Sequence, residues 1–177
     1  MSAEVFKTLI VGPPNVGKTS LVRRHHVGEF ADTYAATIGV GMNVATFDLP
    51  SGKVVLSILD VGGQESFSAL RTRFAAGSHH IILVFDLTDR STFDLIPQWW
   101  ESIQIVCTRE YGLLGGTLVG NKVDITDKRE VTYDEAKLLA DMLCLEYFET
   151  SARTGENVAE LFLHAASDCS MKLRTGQ

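Results

Sequence analysis

The sequence predicts an α/β fold built on a mostly parallel six-stranded sheet, with one antiparallel strand and helices on both faces. Three observations carry that prediction. Short apolar runs alternate with longer stretches of helical period, the pattern of strands joined by crossover helices. A glycine-rich stretch stands directly between the first apolar run and the first helical one. One pair of apolar runs is separated by only Pro50-Ser51-Gly52, a turn signal that makes the two a hairpin and so antiparallel.

The elements follow in order. Val5 to Val11 reads as the first strand, and Thr19 to His26 as a helix that Gly28 can end in a left-handed conformation. Val40 to Leu49 and Lys53 to Leu59 form the hairpin. His80 to Leu87 and Thr117 to Gly120 read as buried strands, and Tyr147 to Glu149 as a short last one. Phe93, Ile96, Trp100, Ile103 and Cys107 recur every three or four residues, as do Val158, Leu161, Phe162, Ala165 and Cys169, so each set forms an apolar helix stripe for seating on the sheet. Thr132 with Glu135 is a capping box, and Asn157 with Glu160 is a weaker one.

Composition bounds the function. A chain of 177 residues is one ordinary domain, expected to span 1–177 without a linker. Its 45% hydrophobic and 21% charged residues are those of a globular protein. Sixteen Lys and Arg against 22 Asp and Glu leave a net charge of -6, which repels nucleic acid and anionic lipid at long range. Cys107, Cys144 and Cys169 are too few and too scattered for a disulfide framework or zinc site, which fits a reduced cytoplasmic compartment. The start has no secretory pattern, and no apolar run reaches the roughly 18 residues of a membrane span. Residue 2 is Ser and KLRTGQ has no cysteine, so no lipid anchor is expected in this chain. Membrane association is then expected only through a longer natural C-terminus or a partner.

Three motifs carry chemistry. Gly12-x-x-x-x-Gly17-Lys18-Thr19, between a strand and a helix, is a phosphate-loop pattern. Its backbone N–H groups and the helix dipole suit phosphate oxygens, Lys18 adds a positive charge near the β and γ phosphates, and the Thr19 hydroxyl is a hard ligand for Mg2+. The loop residues Pro14, Asn15, Val16, Gly17, Lys18, Thr19 and Ser20 are therefore the candidate phosphate set. Asn121-Lys122-Val123-Asp124 follows a predicted strand, where open α/β sheets bind ligands. The Asp124 carboxylate can accept from the ring N–H and exocyclic amine of guanine, whereas adenine would leave it unpaired. Asp60-Val61-Gly62-Gly63-Gln64 closes another strand. There Asp60 can hold a water of the Mg2+ shell, the Gly63 amide can meet the γ phosphate, and the Gln64 amide can orient an attacking water.

Together these residues resemble the small GTPases of the Ras superfamily, over nearly the whole chain. The resemblance implies a P-loop GTPase fold and further site residues. Phe30 and Thr37 follow Lys18 by 12 and 19 residues, the positions at which the family packs the guanine edge and binds Mg2+ with γ phosphate. Tyr34 falls where the family places a tyrosine near the phosphates. Glu149-Thr150-Ser151-Ala152-Arg153 looks like the last guanine motif, in which the Ala amide meets the guanine carbonyl, with Arg153 where lysine is commoner. Phosphate amides in the family come mainly from positions matching Asn15 and Gly17 to Ser20, so the N–H groups that Pro13 and Pro14 lack fall before the essential set.

Thr37 to Val40, Gln64-Glu65-x-Phe67 and Thr154 to Asn157 look like the Rab branch. Gly41-Met42, Leu59 and Phe74-Ala75 depart from the Rab effector surface, so Rab partners do not carry over. The resemblance implies a monomeric switch that binds GTP and GDP with Mg2+ and hydrolyses GTP slowly. Segments 31–40 and 62–74 would signal to effectors, and an exchange factor and a GTPase-activating protein would regulate it. Two rivals stand beside this reading: a nucleotide-dependent binding module with negligible hydrolysis, because Pro14 distorts the catalytic geometry, against which Gln64 argues, and an ATP-dependent phosphotransferase, against which Asp124 argues.

Other features have plainer readings. His25-His26 and His79-His80 are sequence neighbours whose side chains diverge, which makes a shared metal ion improbable. Trp99-Trp100 reads as one core aromatic with a partly exposed neighbour, Lys172 and Arg174 are too few for a polybasic anchor, and Cys169 sits on an apolar stripe as a buried thiol.

Overall fold

A computed structural model describes residues 3–30, 39–63, 68–111 and 115–175. The chain runs β1 (Glu4–Val11), α1 (Lys18–Val27), β2 (Val40–Leu49), β3 (Gly52–Val61), α2 (Ser68–Ala75), β4 (His80–Asp86), α3 (Arg90–Asp94), α4 (Ile96–Tyr111), β5 (Gly115–Asn121), α5 (Tyr133–Met142), β6 (Glu146–Thr150) and α6 (Val158–Thr175). The sheet order is β2-β3-β1-β4-β5-β6. Only β2 is antiparallel to its neighbour, and Leu49 pairs with Gly52 across the two-residue Pro50-Ser51 turn. The predicted architecture is therefore the observed one.

Alternation along the strands fills both faces. On β1, Leu9 and Val11 join a core with Phe85, Ile96, Trp100, Ile103, Cys107 and Ala140, under α4 and α5. Phe6 and Ile10 join the opposite core with Leu21, Ile58, Ile82, Leu161, Phe162 and Ala165, under α1 and α6. Trp100 is buried and Trp99 packs partly buried beside it. The stripe from Phe93 to Cys107 is buried as expected but belongs to two helices, because Leu95 caps α3 before α4 begins, with Pro97 in its first turn. Proline tolerates that position, where its missing N–H costs no intrahelical bond.

Helix ends match their local chemistry. Gly28 ends α1 at φ 72° and donates its N–H to the Arg24 carbonyl. Thr132 and Glu135 form the reciprocal capping box of α5. α6 begins directly after Asn157, as expected; Asn157 itself takes φ 55°, and its side-chain amide donates to the Glu149 carbonyl at 2.8 Å, tying the start of α6 back to β6.

Register places the functional rim. Ile10 pairs with Asp60, Val11 with Leu83, Asp86 with Asn121, and Asn121 with Thr150. The carboxyl ends of five strands thus form one edge of the sheet. The chain reverses its winding direction at β1, so the loop after β1 opens at the switch point where such sheets bind ligands.

The far end of the sheet holds a buried polar cluster. His80 is fully buried, with Nδ1 2.9 Å from Asp168 Oδ2 and Nε2 2.8 Å from Thr117 Oγ1. Lys172 Nζ donates to the same Asp168 oxygen at 2.9 Å. Burial pushes the His80 imidazole below its usual range, against the opposing Asp168 hydrogen bond. Burial alone would raise the Asp168 carboxyl, but hydrogen bonds from His80 and Lys172 outweigh it and hold the group at about 2. A neutral imidazole that donates Nδ1–H to a carboxylate and accepts the Thr117 hydroxyl satisfies every partner. His25 and His79 are also lowered by burial. His25 is stacked on Phe162 at 4.5 Å and on Phe47 at 5.7 Å.

These shifts fix the sign of the pH dependence. A histidine whose folded pKa is depressed binds more protons when unfolded, so its stabilisation is complete above the unfolded pKa of about 6.5 and is lost as pH falls. The urea midpoint therefore drops between pH 7 and pH 5. His80→Gln, less stable at pH 7, shows a smaller drop over the same window, measured by tryptophan fluorescence.

Candidate functional site

The loop after β1 is held by its own side chain. Lys18, 6% exposed, donates from Nζ to the carbonyls of Gly12 at 2.9 Å and Pro13 at 2.7 Å. This wraps the loop around the ammonium and leaves the first amides of α1 facing outward without intrahelical acceptors. Asn15 takes φ 68°, a left-handed value that asparagine tolerates. Gly17 caps α1 at φ 96° with no side-chain hydrogen bond, and a Cβ there would meet Asn121 Nδ2 at 2.3 Å. Pro13 is buried, while Pro14 is exposed at the bend.

Asp60 and Thr19 meet beside this loop. Thr19 Oγ1 donates to Asp60 Oδ2 at 2.5 Å. Asp60 is buried, and its Oδ1 has no hydrogen-bond partner. Burial raises its carboxyl above the usual range, with the Thr19 hydrogen bond and the Lys18 charge opposing. A buried, unpartnered carboxylate oxygen next to a hydroxyl is a donor set of hard oxygens, which fits a divalent cation such as Mg2+. Gly63 follows at the end of β3, where a Cβ would come within 2.6 Å of the Pro13–Pro14 peptide, so only glycine lets this segment lie against the loop.

Asn121 joins the two halves of the site. Its Nδ2 donates to the Val16 carbonyl at 2.9 Å, while its Oδ1 accepts from Thr150 Oγ1 at 3.1 Å and from the Ala152 amide at 3.2 Å. Lys122 takes φ 70°, and its Nζ pairs with Asp86 Oδ2 at 2.5 Å. Asp124 Oδ1 accepts from Ser151 Oγ at 2.7 Å, and Ser151 Oγ also accepts from the Thr154 amide at 2.9 Å. The carboxylate is thereby aimed along the rim with one oxygen already bonded.

Val16, Gly17, Lys18, Thr19, Asp60, Gly63, Asn121, Lys122, Asp124, Ser151 and Ala152 thus lie along one edge, with Pro14, Asn15 and Arg153 on the flanking loops and Ser20 in the first turn of α1. Phe30 lies three residues beyond α1, 37% exposed. Tyr34, Thr37 and Gln64 lie outside the described residues, as do most of segment 31–40 and part of segment 62–74.

Two residues absent from the motifs also belong to the site. Asp86, buried at the end of β4, accepts from the Thr88 amide at 2.8 Å and hydroxyl at 2.7 Å as well as from Lys122. An Asp-x-Thr at a strand end is a local signal for such a turn. Arg24, in the last turn of α1, reaches the carbonyls of Ala152 and Arg153. Its sequence context, a basic residue near a helix C-terminus, reads as a solvated end and gives no such signal.

Comparison with known proteins agrees with this arrangement. The profile of the Ras family matches residues 7–171. The chain is 38% identical over 159 residues to the GTP-binding protein ypt1 of Schizosaccharomyces pombe, covering 90% of this chain and 77% of that protein. It is 34% identical over 173 residues to Ras-related protein Rab-1A of Dictyostelium discoideum, covering 98% and 84%. Ras-related protein Rab-13 of Bos taurus is 38% identical over 168 residues, covering 95% and 81%. With a phosphate loop, a buried acid beside Thr19 and an Asn-Lys-x-Asp strand end on a 2-3-1-4-5-6 sheet, the chain belongs to the Ras family of small GTPases, close to its Rab branches.

Proposed function

We propose that this chain is a single-domain guanine-nucleotide switch that binds GTP and GDP with Mg2+ and hydrolyses GTP slowly. The observation that carries the reading is the Asn121 side chain, bonded at once to the phosphate loop and to the Ala152 loop. It sets a phosphate cradle and a guanine-selective carboxylate on one rigid edge. The relatives support the ligand, one of them being named a GTP-binding protein.

Each residue then has a task. Amides of Asn15 and Gly17 to Ser20 surround the phosphates, and the Lys18 ammonium neutralises charge on the β and γ groups. Asp124 accepts the two guanine donors, with Ala152 and Arg153 at the carbonyl edge and Phe30 against the ring. Thr19 and Thr37 would hold Mg2+, with Asp60 binding through water, and the cation supplies charge neutralisation at the phosphate oxygens. Gln64 orients a water for in-line attack on the γ phosphorus, releasing GDP and phosphate. The motifs of the sequence supply no arginine in cis to stabilise the transition state, which favours an activating partner that supplies one. Segments 31–40 and 62–74 carry the nucleotide state to effectors.

A second reading has an observation in its favour. Gly63 lies against the Pro13–Pro14 peptide, so two rigid rings border the segment leading into Gln64. A protein whose rings exclude the attacking water would bind nucleotide and report its state with negligible turnover.

Three measurements test these readings. Chromatography of the heat-denatured protein, as purified or after loading with Mg2+, yields guanine nucleotide and no adenine nucleotide. Asp124→Ala weakens GDP binding by about 100-fold or more, since guanine then leaves two donors unpaired; an unchanged affinity would remove Asp124 from base recognition. In single-turnover phosphate release, the parent cuts its bound GTP and Gln64→Leu slows this by about tenfold or more. Equal rates in the two proteins favour the second reading.

A further inference from the structure

Arg24 spreads one guanidinium over two segments far apart in sequence. Its Nε donates to the Ala152 carbonyl at 2.8 Å, its Nη2 to the Arg153 carbonyl, and its Nη1 to the Gly28 carbonyl at 2.6 Å. A basic residue in the last turn of a helix ordinarily serves the carbonyls of its own helix end. Here one of the three bonds does so, and two cross to the loop after β6. That loop curls around the side chain, since a Cβ on Gly155 would touch the guanidinium at 3.7 to 3.9 Å.

We propose that Arg24 is a positioning residue that fixes the guanine slot from outside and so sets how long nucleotide stays bound; the inference rests on the guanine-nucleotide reading above. A peptide unit is planar with its C=O and N–H opposed, so a carbonyl that is held orients the amide on its other side. The Arg153 carbonyl shares a peptide with the Thr154 amide, which donates to Ser151 Oγ at 2.9 Å, and Ser151 Oγ donates to Asp124 Oδ1 at 2.7 Å. Arg24 is thus linked to the base-selecting carboxylate through one peptide and one hydroxyl. The Ala152 carbonyl, held in the same way, fixes the peptide that carries the Arg153 amide. On the other wall, Gly28 is two residues from Phe30, so the same cation anchors the chain on both sides of the slot. Lysine cannot take this place fully, because its ammonium is a point charge without the planar fork.

Dissociation of ribose-labelled fluorescent GDP tests this with the full chain, in Mg2+ and in EDTA. Arg24→Ala releases the label about tenfold faster or more, the scale of losing charge-assisted hydrogen bonds at the slot. Arg24→Lys falls between Arg24→Ala and the parent. The ratio of the EDTA rate to the Mg2+ rate stays within about twofold of the parent's, because Thr19 and Asp60 are untouched, whereas a general loosening of the fold would shift it. A release rate within twofold of the parent's, or a changed ratio, overturns the inference. Should Arg24→Ala not fold, Arg24→Lys decides alone, and a parent-like rate overturns the proposal. A parent that takes up no labelled GDP overturns the guanine-nucleotide reading and this inference with it; a parent that binds beside a variant that releases no faster overturns only the inference.

Discussion

One buried amide holds the functional edge of this protein together. Asn121 is 1% exposed and uses both ends of its side chain, giving a proton to the Val16 carbonyl and receiving two from Thr150 and Ala152. Without it, a carbonyl and an amide would be left unpaired in the interior, at a cost of about 1–3 kcal/mol each. Its position follows from the sheet, whose register sets Asn121 level with Asp86 on one side and Thr150 on the other. Its presence in turn dictates Gly17, because the space a side chain would need there is already taken. Loop shape, strand register and base loop are thus one constraint expressed three times.

The sequence was readable where structure is local. Alternating apolar runs located all six strands, Pro50-Ser51-Gly52 located the hairpin, and Thr132 with Glu135 located the start of α5. The phosphate loop and the Asn121 to Asp124 segment were readable because each packs several roles into a few adjacent residues. The remainder joins residues distant in the chain. Arg24 meets Ala152 across 128 residues and His80 meets Asp168 across 88, and neither pair leaves a trace in local spacing. Asn157 marked the start of α6 from its local pattern, whereas the bond from its side-chain amide to a carbonyl of β6, eight residues back, was not legible in that pattern.

The polar groups of this fold are divided between two ends of the sheet. At the carboxyl rim, charges and amides remain open to a ligand, as the unpartnered oxygen of Asp60 shows. At the opposite end, His80, Thr117, Asp168 and Lys172 satisfy one another and clamp α6 to β4 and β5. Gly115 leaves room for that clamp, since a Cβ there would fall 2.0 Å from Asp168 Oδ2. Chemistry and anchorage are therefore separated by the length of the strands, and the anchored end gives the open end a rigid base.

The two consecutive prolines reach beyond the loop they occupy. Ring closure fixes φ at both residues, and the Lys18 ammonium grips the carbonyls on either side of Pro13. The curvature of the cradle is thereby stored in covalent rings and an internal cation, so it does not depend on phosphate to draw it into shape. Such a loop has little conformational freedom left to surrender when a nucleotide enters, and little to regain when one leaves. The cradle is accordingly a standing mould, shaped by the chain itself.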